Sequence, residues 1–197
     1  LVQSFRNVWG ASICTGSCAI YRRAALAPHG GWAPVPRSED LNSALMVLRN
    51  GWKIRYVPLV LSSGLSPDTV KALVMQSLRW ATGSILTTFT PLFWMQPKMS
   101  PLAKCSYFLS ILFYLTSGLG TFMFSLPTLI NVWFFSENFT ITNYSLIAPA
   151  LILCVGARAA WSNNRWGMHV AFTSFTAGYA HLTAIIDVIT GQEATWI

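Results

Sequence analysis

Two neighbouring carboxylates, Glu39 and Asp40, stand at the predicted start of a helix, directly after Ser38. An Asp in this position is more often a helix-cap carboxylate than a catalyst, because a negative charge stabilises the positive end of the helix dipole. The functional alternative is a general base, which must lie close to a hydroxyl proton and be partly shielded from water. Such shielding raises the pKa of a carboxyl group from about 4 toward the working pH, and the charge of Glu39 would add to the effect. Asp40 is therefore a candidate catalytic base, with the cap interpretation as its alternative.

A second group of chemically useful side chains occurs in the helix predicted over residues 66–84, SPDTVKALVMQSLRWATGS. Gln76, Arg79 and Trp80 are spaced i, i+3 and i+4, so they share one helix face. Arg79 can bind a phosphate bidentately and Gln76 can add a donor, while Trp80 offers a flat apolar surface for the C–H face of a sugar ring. The alternative is an amphipathic helix at a membrane surface, with Trp and Arg side chains reaching the interface. The helix by itself favours neither interpretation.

A small-residue turn, Cys14-Thr-Gly-Ser-Cys18, could let a ligand approach the backbone at Gly16 and Ser17. Alone, this signal is weak. The two cysteines of the turn lack the further ligands that a zinc site needs, and the cysteines of the chain do not form a disulfide framework. All are predicted to be free thiols: Cys14, Cys18, Cys105 and Cys154.

The elements that position these side chains begin with a helix over residues 38–49. Ser38 is a good N-cap, apolar residues recur at helical spacing, and Asn50-Gly51 forms a C-cap. The carboxylate pair therefore belongs to the first turn of this helix.

Residues 52–58 alternate like a short strand. The next helix is predicted to begin with Ser66 as its N-cap and Pro67 as its first residue. Helix, strand and helix in a polar region favour an α/β layer.

The composition argues against a simple soluble globule. Of the 197 residues, 53% are hydrophobic and only 10% are charged, whereas charged residues usually make up about 25%. Most of the charge falls in the first 80 residues. Residues 1–84 are therefore predicted to form a water-facing domain, residues 85–104 a linker, and residues 105–197 a membrane region.

The net charge of +7 raises the question of nucleic-acid binding. The basic residues are scattered and form no dense stripe, so no nucleic-acid partner is expected. Anionic lipid or a phosphorylated small substrate accounts for the charge more economically.

Three apolar stretches lie in the predicted membrane region, at residues 105–135, 144–161 and 168–190. The first two are long enough to span a bilayer. The third is equally consistent with another span and with a helix lying in the membrane interface.

Lysines before the first apolar stretch and arginines after the second predict the orientation of the chain. By the positive-inside rule, residues 1–104 are cytoplasmic and the loop of residues 136–143 is outside. Asn138 and Asn143 begin glycosylation sequons in that loop, and modification is expected only as the minority case, in a eukaryotic source.

The separate motifs gain meaning from their order and spacing. The chain resembles the processive family-2 glycosyltransferases, the cellulose synthase-like family, in the order of its motifs. These are Gly16-Ser17, then Ser38-Glu39-Asp40, then Gln76-x-x-Arg79-Trp80, followed by apolar stretches. Two dipeptides between them fit the same pattern, Gly31-Trp32 and Gly51-Trp52. The resemblance covers residues 11–84 by motif and residues 99–197 by layout. Its expected fold is part of a GT-A-like α/β glycosyltransferase domain followed by an α-helical membrane region.

The resemblance implies that Asp40 is the general base that deprotonates the acceptor hydroxyl, and that Gln76 and Arg79 bind the donor diphosphate. For the acceptor side, it implies binding by Trp80, Gly16, Ser17 and Glu39. It also implies a divalent cation, Mg²⁺ or Mn²⁺, whose ligands lie upstream of this chain, so that this fragment alone is expected to be inactive. The third apolar stretch would match an interfacial helix.

The implied activity is transfer of glucose from UDP-glucose to a growing β-glucan, with export of the polymer across a plasma membrane. The expected partners are a nucleotide-sugar, a polysaccharide acceptor and the lipid bilayer; accessory subunits cannot be identified from the sequence. Alternatives within the class are synthases of N-acetylglucosamine polymers, hyaluronan or mannan. The alternative from another class is a non-catalytic polytopic transporter or scaffold.

Two residues depart from the family pattern. Thr15 replaces the cysteine that precedes the Gly-Ser turn in cellulose synthases, and Ser77 occupies the second place of the Gln-x-x-Arg-Trp motif. Both are expected near the acceptor, so they bear on the sugar and the linkage.

Overall fold

The computed structural model describes residues 2–35, 37–60, 62–138, 140–145, 149, 152 and 168–191. Its α-helices are α1 (Val2–Val8), α2 (Arg23–Leu26), α3 (Glu39–Arg49), α4 (Val70–Thr88), α5 (Pro91–Trp94), α6 (Pro101–Phe134), α7 (Ile141–Ser145) and α8 (Met168–Thr190). Short 3-10 helices occupy Ala27–His29 and Ser136–Asn138.

The helix predicted over residues 38–49 is confirmed as α3, with one difference at its start. Ser38 holds the N-cap position in a left-handed conformation, with φ 52°, and its side chain makes no capping hydrogen bond. The Leu41 amide instead donates to Oδ1 of Asp40, at 2.7 Å. At the other end, Asn50 is the C-cap, and Gly51 follows with φ 87°, a conformation that favours glycine. Ser38 and Asn50 therefore occupy the predicted cap positions, but the acceptor for a backbone amide of the first turn is the Asp40 carboxylate and not the Ser38 hydroxyl.

The predicted start of α4 is wrong by three residues. Thr69, rather than Ser66, is the N-cap, because its hydroxyl accepts a hydrogen bond from the Ala72 amide at 3.2 Å. The helix therefore begins at Val70, and Pro67 lies outside it.

The strand predicted over residues 52–58 is also wrong: within the described residues this segment has no regular secondary structure. A strand exists only where its backbone pairs with a neighbouring strand. The Tyr56 amide donates instead to the side-chain Oδ1 of Asn7 in α1, at 3.0 Å. The described part of the chain is accordingly helical, and no α/β layer is formed within it.

The first apolar stretch forms one continuous helix, α6, of 34 residues. Pro127 lies inside it, and its carbonyl accepts from the Asn131 side chain at 3.0 Å. At 1.5 Å per residue the helix is about 50 Å long, more than the roughly 30 Å hydrocarbon core of a bilayer. Among the described residues, α6 is the helix long and apolar enough to cross a membrane.

Two apolar clusters hold the helices together. The first joins α3, α5 and the start of α6 to the extended residues 11–13, through the buried side chains of Leu45, Phe93 and Tyr107. Helices α4, α6 and α8 form the second, around Ala81, Ile85, Ile111 and Ala184. The predicted linker, residues 85–104, thus contains the end of α4, all of α5 and the start of α6.

The third apolar stretch, residues 168–190, is confirmed as a helix, α8. It packs closely on α6 at Gly118, where an added Cβ would lie 2.8 Å from the Leu182 amide nitrogen. Gly178 makes the reciprocal approach to Thr121 and to the Ser117 carbonyl. Small residues on both helices therefore permit the close contact.

Some predictions lie wholly or partly outside the described residues. The second apolar stretch, residues 144–161, is described only at residues 144, 145, 149 and 152. Cys154 is not among the described residues, whereas Cys14, Cys18 and Cys105 are free thiols, as predicted. Asn138 ends a 3-10 helix and Asn143 lies in α7.

Candidate active site

The small-residue turn meets the first residues of α3. Gly16 has φ 70°, and a Cβ built on it would lie 2.9 Å from Oδ2 of Asp40 and 3.4 Å from its Cγ. Any side chain at residue 16 would therefore press against the carboxylate. The structure thus brings together two candidates that are separated by 24 residues in the sequence.

The Asp40 carboxyl group is half-buried, and this burial raises its pKa above the ordinary value of 3.8. The negative charge of Glu39 raises the pKa further, while the Leu41 amide and the positive charge of Arg79 oppose the rise. Glu39 itself is exposed. A carboxylate in such surroundings is a stronger base than one in open water.

The influence of Arg79 on Asp40 connects α4 with α3. Gly83 of α4 lies against Ser38, since an added Cβ would overlap Ser38 Oγ and come within 2.9 Å of its Cβ. One turn further on, Asn42 of α3 donates to Thr87 Oγ1 of α4, at 3.1 Å. A glycine and a buried hydrogen bond therefore hold the carboxylate helix against the helix that carries Arg79.

The predicted face of α4 is accessible in the structure. Arg79 and Trp80 are exposed, with Trp80 retaining 50% of its accessible surface, and Gln76 is half-buried. On the other side of the helix Ala81 is fully buried, and Ser77 is 7% exposed. Ser77 is therefore buried, whereas its three motif neighbours are exposed or half-buried.

The turn around Gly16 is itself open to solvent. Thr15 and Ser17 are exposed, and the Thr15 hydroxyl donates to the Ser17 carbonyl at 3.4 Å. Cys18 has a positive φ of 55° and its thiol contacts the Ser62 hydroxyl. The hydroxyls of this turn can therefore reach a ligand that approaches Asp40.

Two further residues, Cys14 at the start of the turn and Tyr21 beyond it, lie within reach of the Asp40 charge. Burial raises the pKa of the Cys14 thiol and of the Tyr21 hydroxyl, and the charge of Asp40 raises both further. The Tyr21 ring makes an edge contact with Trp32, with 4.5 Å between centroids. Tyr21 belongs to none of the motifs. Its position three residues after the turn was the one sequence feature that could have suggested a place near Asp40.

A second group that the sequence did not link to the site comes from α6 and α8. Tyr114 of α6 interacts with Ser84 of α4 and lies within reach of the Asp40 charge. Its ring contacts the buried His181 of α8 edge-on, with 5.0 Å between centroids. Because these residues lie 74 or more positions beyond Asp40 and within apolar runs, spacing could not have linked them to the site.

Within the described residues, no three His, Cys, Asp or Glu side chains come together. The carboxylates at the site are the adjacent pair Glu39 and Asp40, and one of them points to solvent. The described residues therefore form no candidate cluster for a divalent cation, whose ligands the family resemblance places upstream of this chain.

The turn, the carboxylate helix and the helix that carries Arg79 therefore lie together around Asp40. The family model described as glycosyl transferase family group 2 matches residues 2–137, and the chain belongs to this family. The motif-based recognition is thereby confirmed.

Individual relatives point to one branch of that family. The chain is 38% identical over 85 residues to the cellulose synthase 1 catalytic subunit (UDP-forming) of Komagataeibacter xylinus, covering 43% of this chain and 11% of that protein. It is 38% identical over 85 residues to cellulose synthase 2 of Novacetimonas hansenii, covering 43% of this chain and 5% of that protein. The cellulose synthase catalytic subunit (UDP-forming) of Xanthomonas axonopodis pv. citri is 35% identical over 83 residues, or 42% of this chain and 11% of that protein. The aligned part is thus about a tenth or less of each relative.

Proposed function

We propose that the whole protein is a membrane-bound inverting polysaccharide synthase in which Asp40 is the general base. One observation carries the proposal: the half-buried Asp40 carboxylate lies against the open Gly16 turn and within electrostatic reach of Arg79. Three motifs from separate parts of the chain therefore meet at one carboxylate.

In the proposed reaction, Asp40 accepts the proton of an acceptor hydroxyl. The hydroxyl oxygen then bonds to the anomeric carbon of the donor sugar from the face opposite the diphosphate. The bond between that carbon and the diphosphate oxygen breaks, the electron pair leaves with the nucleoside diphosphate, and the configuration is inverted. A general base is useful here because it removes the proton as the new bond forms.

The α4 face supplies the binding groups of the proposal. Arg79 and Gln76 bind the donor diphosphate, since a guanidinium matches phosphate oxygens and an amide adds a donor. Trp80, whose ring is half-exposed, stacks against the terminal sugar of the acceptor. Gly16, Ser17 and Glu39 lie at the acceptor side of Asp40, where the open turn leaves room for a sugar ring.

The donor we propose is UDP-glucose and the product a β-glucan of the cellulose type. The names of the relatives, which are cellulose synthases described as UDP-forming, support this choice. The α/β class belongs to the complete catalytic domain, of which residues 1–84 form part. Residues 1–104 face the cytoplasm, and α6 with the other apolar stretches of residues 105–197 carries the polymer outward.

The experiment that tests the role of Asp40 compares full-length Asp40→Asn with full-length Asp68→Asn. Asp68 is an exposed carboxylate just ahead of α4, so it controls for the loss of one negative charge. We expect Asp40→Asn to lower UDP-glucose incorporation into polymer by at least about 10²-fold, the contribution of a general base. Asp68→Asn should retain normal incorporation, and both variants should insert into membranes.

Normal incorporation by Asp40→Asn would refute the base assignment. Incorporation by the unmodified protein from another nucleotide-sugar but not from UDP-glucose, lost in Asp40→Asn, would refute the donor and retain the base. A panel of nucleotide-sugars therefore accompanies the assay.

A further inference from the structure

A cavity of about 470 Å³ opens at the opposite end of α3 from Asp40. It lies between the C-terminal end of α3, residues 51–55, the loop after α1 and the start of α6. Gly51 lies eleven positions after Asp40, which corresponds to about 16 Å along a helix. The cavity is therefore separate from the proposed sugar-transfer site.

Positive charge dominates this cavity. Lys53, Arg55 and Lys98 line it, and none of its described lining residues is acidic. Lys98 comes close to the backbone at Gly51, where a Cβ would lie 2.8 Å from its Nζ atom. A concave surface with three cations and no carboxylate attracts an anion, and phosphate groups match this chemistry.

The rim of the cavity is the beginning of the candidate membrane helix. Ser100 is the N-cap of α6 and accepts from the Ala103 amide at 3.2 Å, and both residues line the cavity. Within the next turns α6 exposes Leu102 and Leu109. An anion bound in the cavity would thus lie where an apolar helix surface begins.

Two indole side chains complete the lining. Trp9 is 48% exposed, and Trp52 is half-buried with the Arg22 guanidinium carbon 5.7 Å from its ring centroid. Tryptophan is enriched at the level of lipid headgroups because one edge of its ring is polar and the rest is apolar.

We propose that this cavity binds the phosphate-bearing headgroup of an anionic membrane lipid, with the acyl chains following the apolar surface of α6. A lipid fits better than a soluble phosphate because the cationic lining includes Ser100 and Ala103 of α6, next in sequence to the exposed Leu102. Such a lipid would hold the domain of residues 1–84 at a fixed height on the membrane. The proposal is independent of the chemistry at Asp40.

The test uses full-length protein, stripped of lipid in a neutral detergent and titrated with dioctanoyl-phosphatidylglycerol, with bound lipid counted by native mass spectrometry. Dioctanoyl-phosphatidylcholine is the uncharged control lipid, and inorganic phosphate is the soluble competitor. The variant Arg55→Gln/Lys98→Gln is compared with Arg23→Gln/Lys71→Gln, which removes one Arg and one Lys at exposed positions outside the cavity.

We expect phosphatidylglycerol to bind the unmodified protein, and its affinity to fall by about tenfold or more in Arg55→Gln/Lys98→Gln. The affinity should be unchanged in Arg23→Gln/Lys71→Gln. Equal affinities in the two variants would overturn the proposal, as would equally tight binding of phosphatidylcholine. Displacement of the lipid by an equal concentration of inorganic phosphate would show a soluble-anion site instead. Equal melting temperatures of the two variants would show that a difference in binding does not arise from unfolding.

Discussion

Gly16 lies so close to Asp40 that a Cβ added to Gly16 would stand 2.9 Å from Oδ2 of Asp40. The turn and the carboxylate therefore form one surface, in which the absence of a side chain leaves the carboxylate accessible from the Gly16 side. A substitution at residue 16 should therefore affect both the access of a ligand to the Asp40 carboxylate and the conformation of the turn.

The first prediction concerns Gly16→Ala. We expect this variant to lose most polymer synthesis, because its methyl group displaces the Asp40 carboxylate. Strain from the φ of 70° adds about 1 kcal/mol of destabilisation. Polymer synthesis and melting temperature are measured on the full-length protein.

Gly30→Ala is the matched control for this prediction. Gly30 has a φ of 72°, but nothing lies within 4 Å of an added Cβ. Both variants therefore carry the same backbone strain, and only Gly16→Ala crowds Asp40. Equal activities of the two variants would show that the contact with Asp40 has no catalytic importance.

A second prediction follows from the raised pKa of Asp40. A general base acts in its ionised form, so activity should rise as the pH increases through this pKa, which lies above 3.8. Glu39→Gln removes a negative charge that raises the pKa of Asp40. The acid limb of the profile of kcat/KM against pH should therefore move to lower pH.

Glu137→Gln serves as the control for the pH profile, because Glu137 follows the far end of α6. The acid limb of the Glu137→Gln profile should coincide with that of the unmodified protein. If the acid limb of the Glu39→Gln profile stays in place or moves to higher pH, the limb does not report the pKa of Asp40.

The third prediction separates acceptor binding from donor binding at the α4 face. Trp80→Ala should reduce chain extension roughly fivefold more than it reduces hydrolysis of the donor, the effect of losing about 1 kcal/mol of aromatic contact. Both rates are measured with the same UDP-glucose preparation. Trp133→Ala, which removes an exposed Trp near the other end of α6, should leave the ratio of the two rates unchanged. An equal loss of both rates in Trp80→Ala would rule out an acceptor platform.

The fourth prediction concerns the anchor between α6 and the segment that leads to Gly16. The buried Tyr107 hydroxyl donates to the Ser12 carbonyl at 2.8 Å, so Tyr107→Phe leaves that carbonyl without its donor. We expect a loss of about 1–3 kcal/mol in stability, seen as a lower melting temperature. Tyr56→Phe alters a partly exposed tyrosine and should melt normally. Identical melting temperatures of the two variants would show that the bond contributes nothing.

Much of the local structure could be predicted from the sequence. Helix α3 followed from apolar spacing and end signals, which act over a few neighbouring residues. The helical character of residues 168–190 followed from the length of its apolar stretch. The order of the Gly-Ser, Glu-Asp and Gln-x-x-Arg-Trp motifs was sufficient to recognise the glycosyltransferase family. Errors arose where two local signals competed, as when Thr69 capped α4 in place of Ser66.

Tertiary structure alone decided what surrounds Asp40. The alternation of residues 52–58 could not show whether a partner strand was present, and within the described residues their backbone bonds to Asn7 instead. Likewise, no local sequence pattern could predict that Tyr114 of α6 lies near Ser84 and within reach of the negative charge of Asp40. Residue types and local spacing thus determined which groups could do chemistry and which segments become helical. Packing determined their accessibility and proton affinity, because burial and the electric field depend on residues far away in the chain.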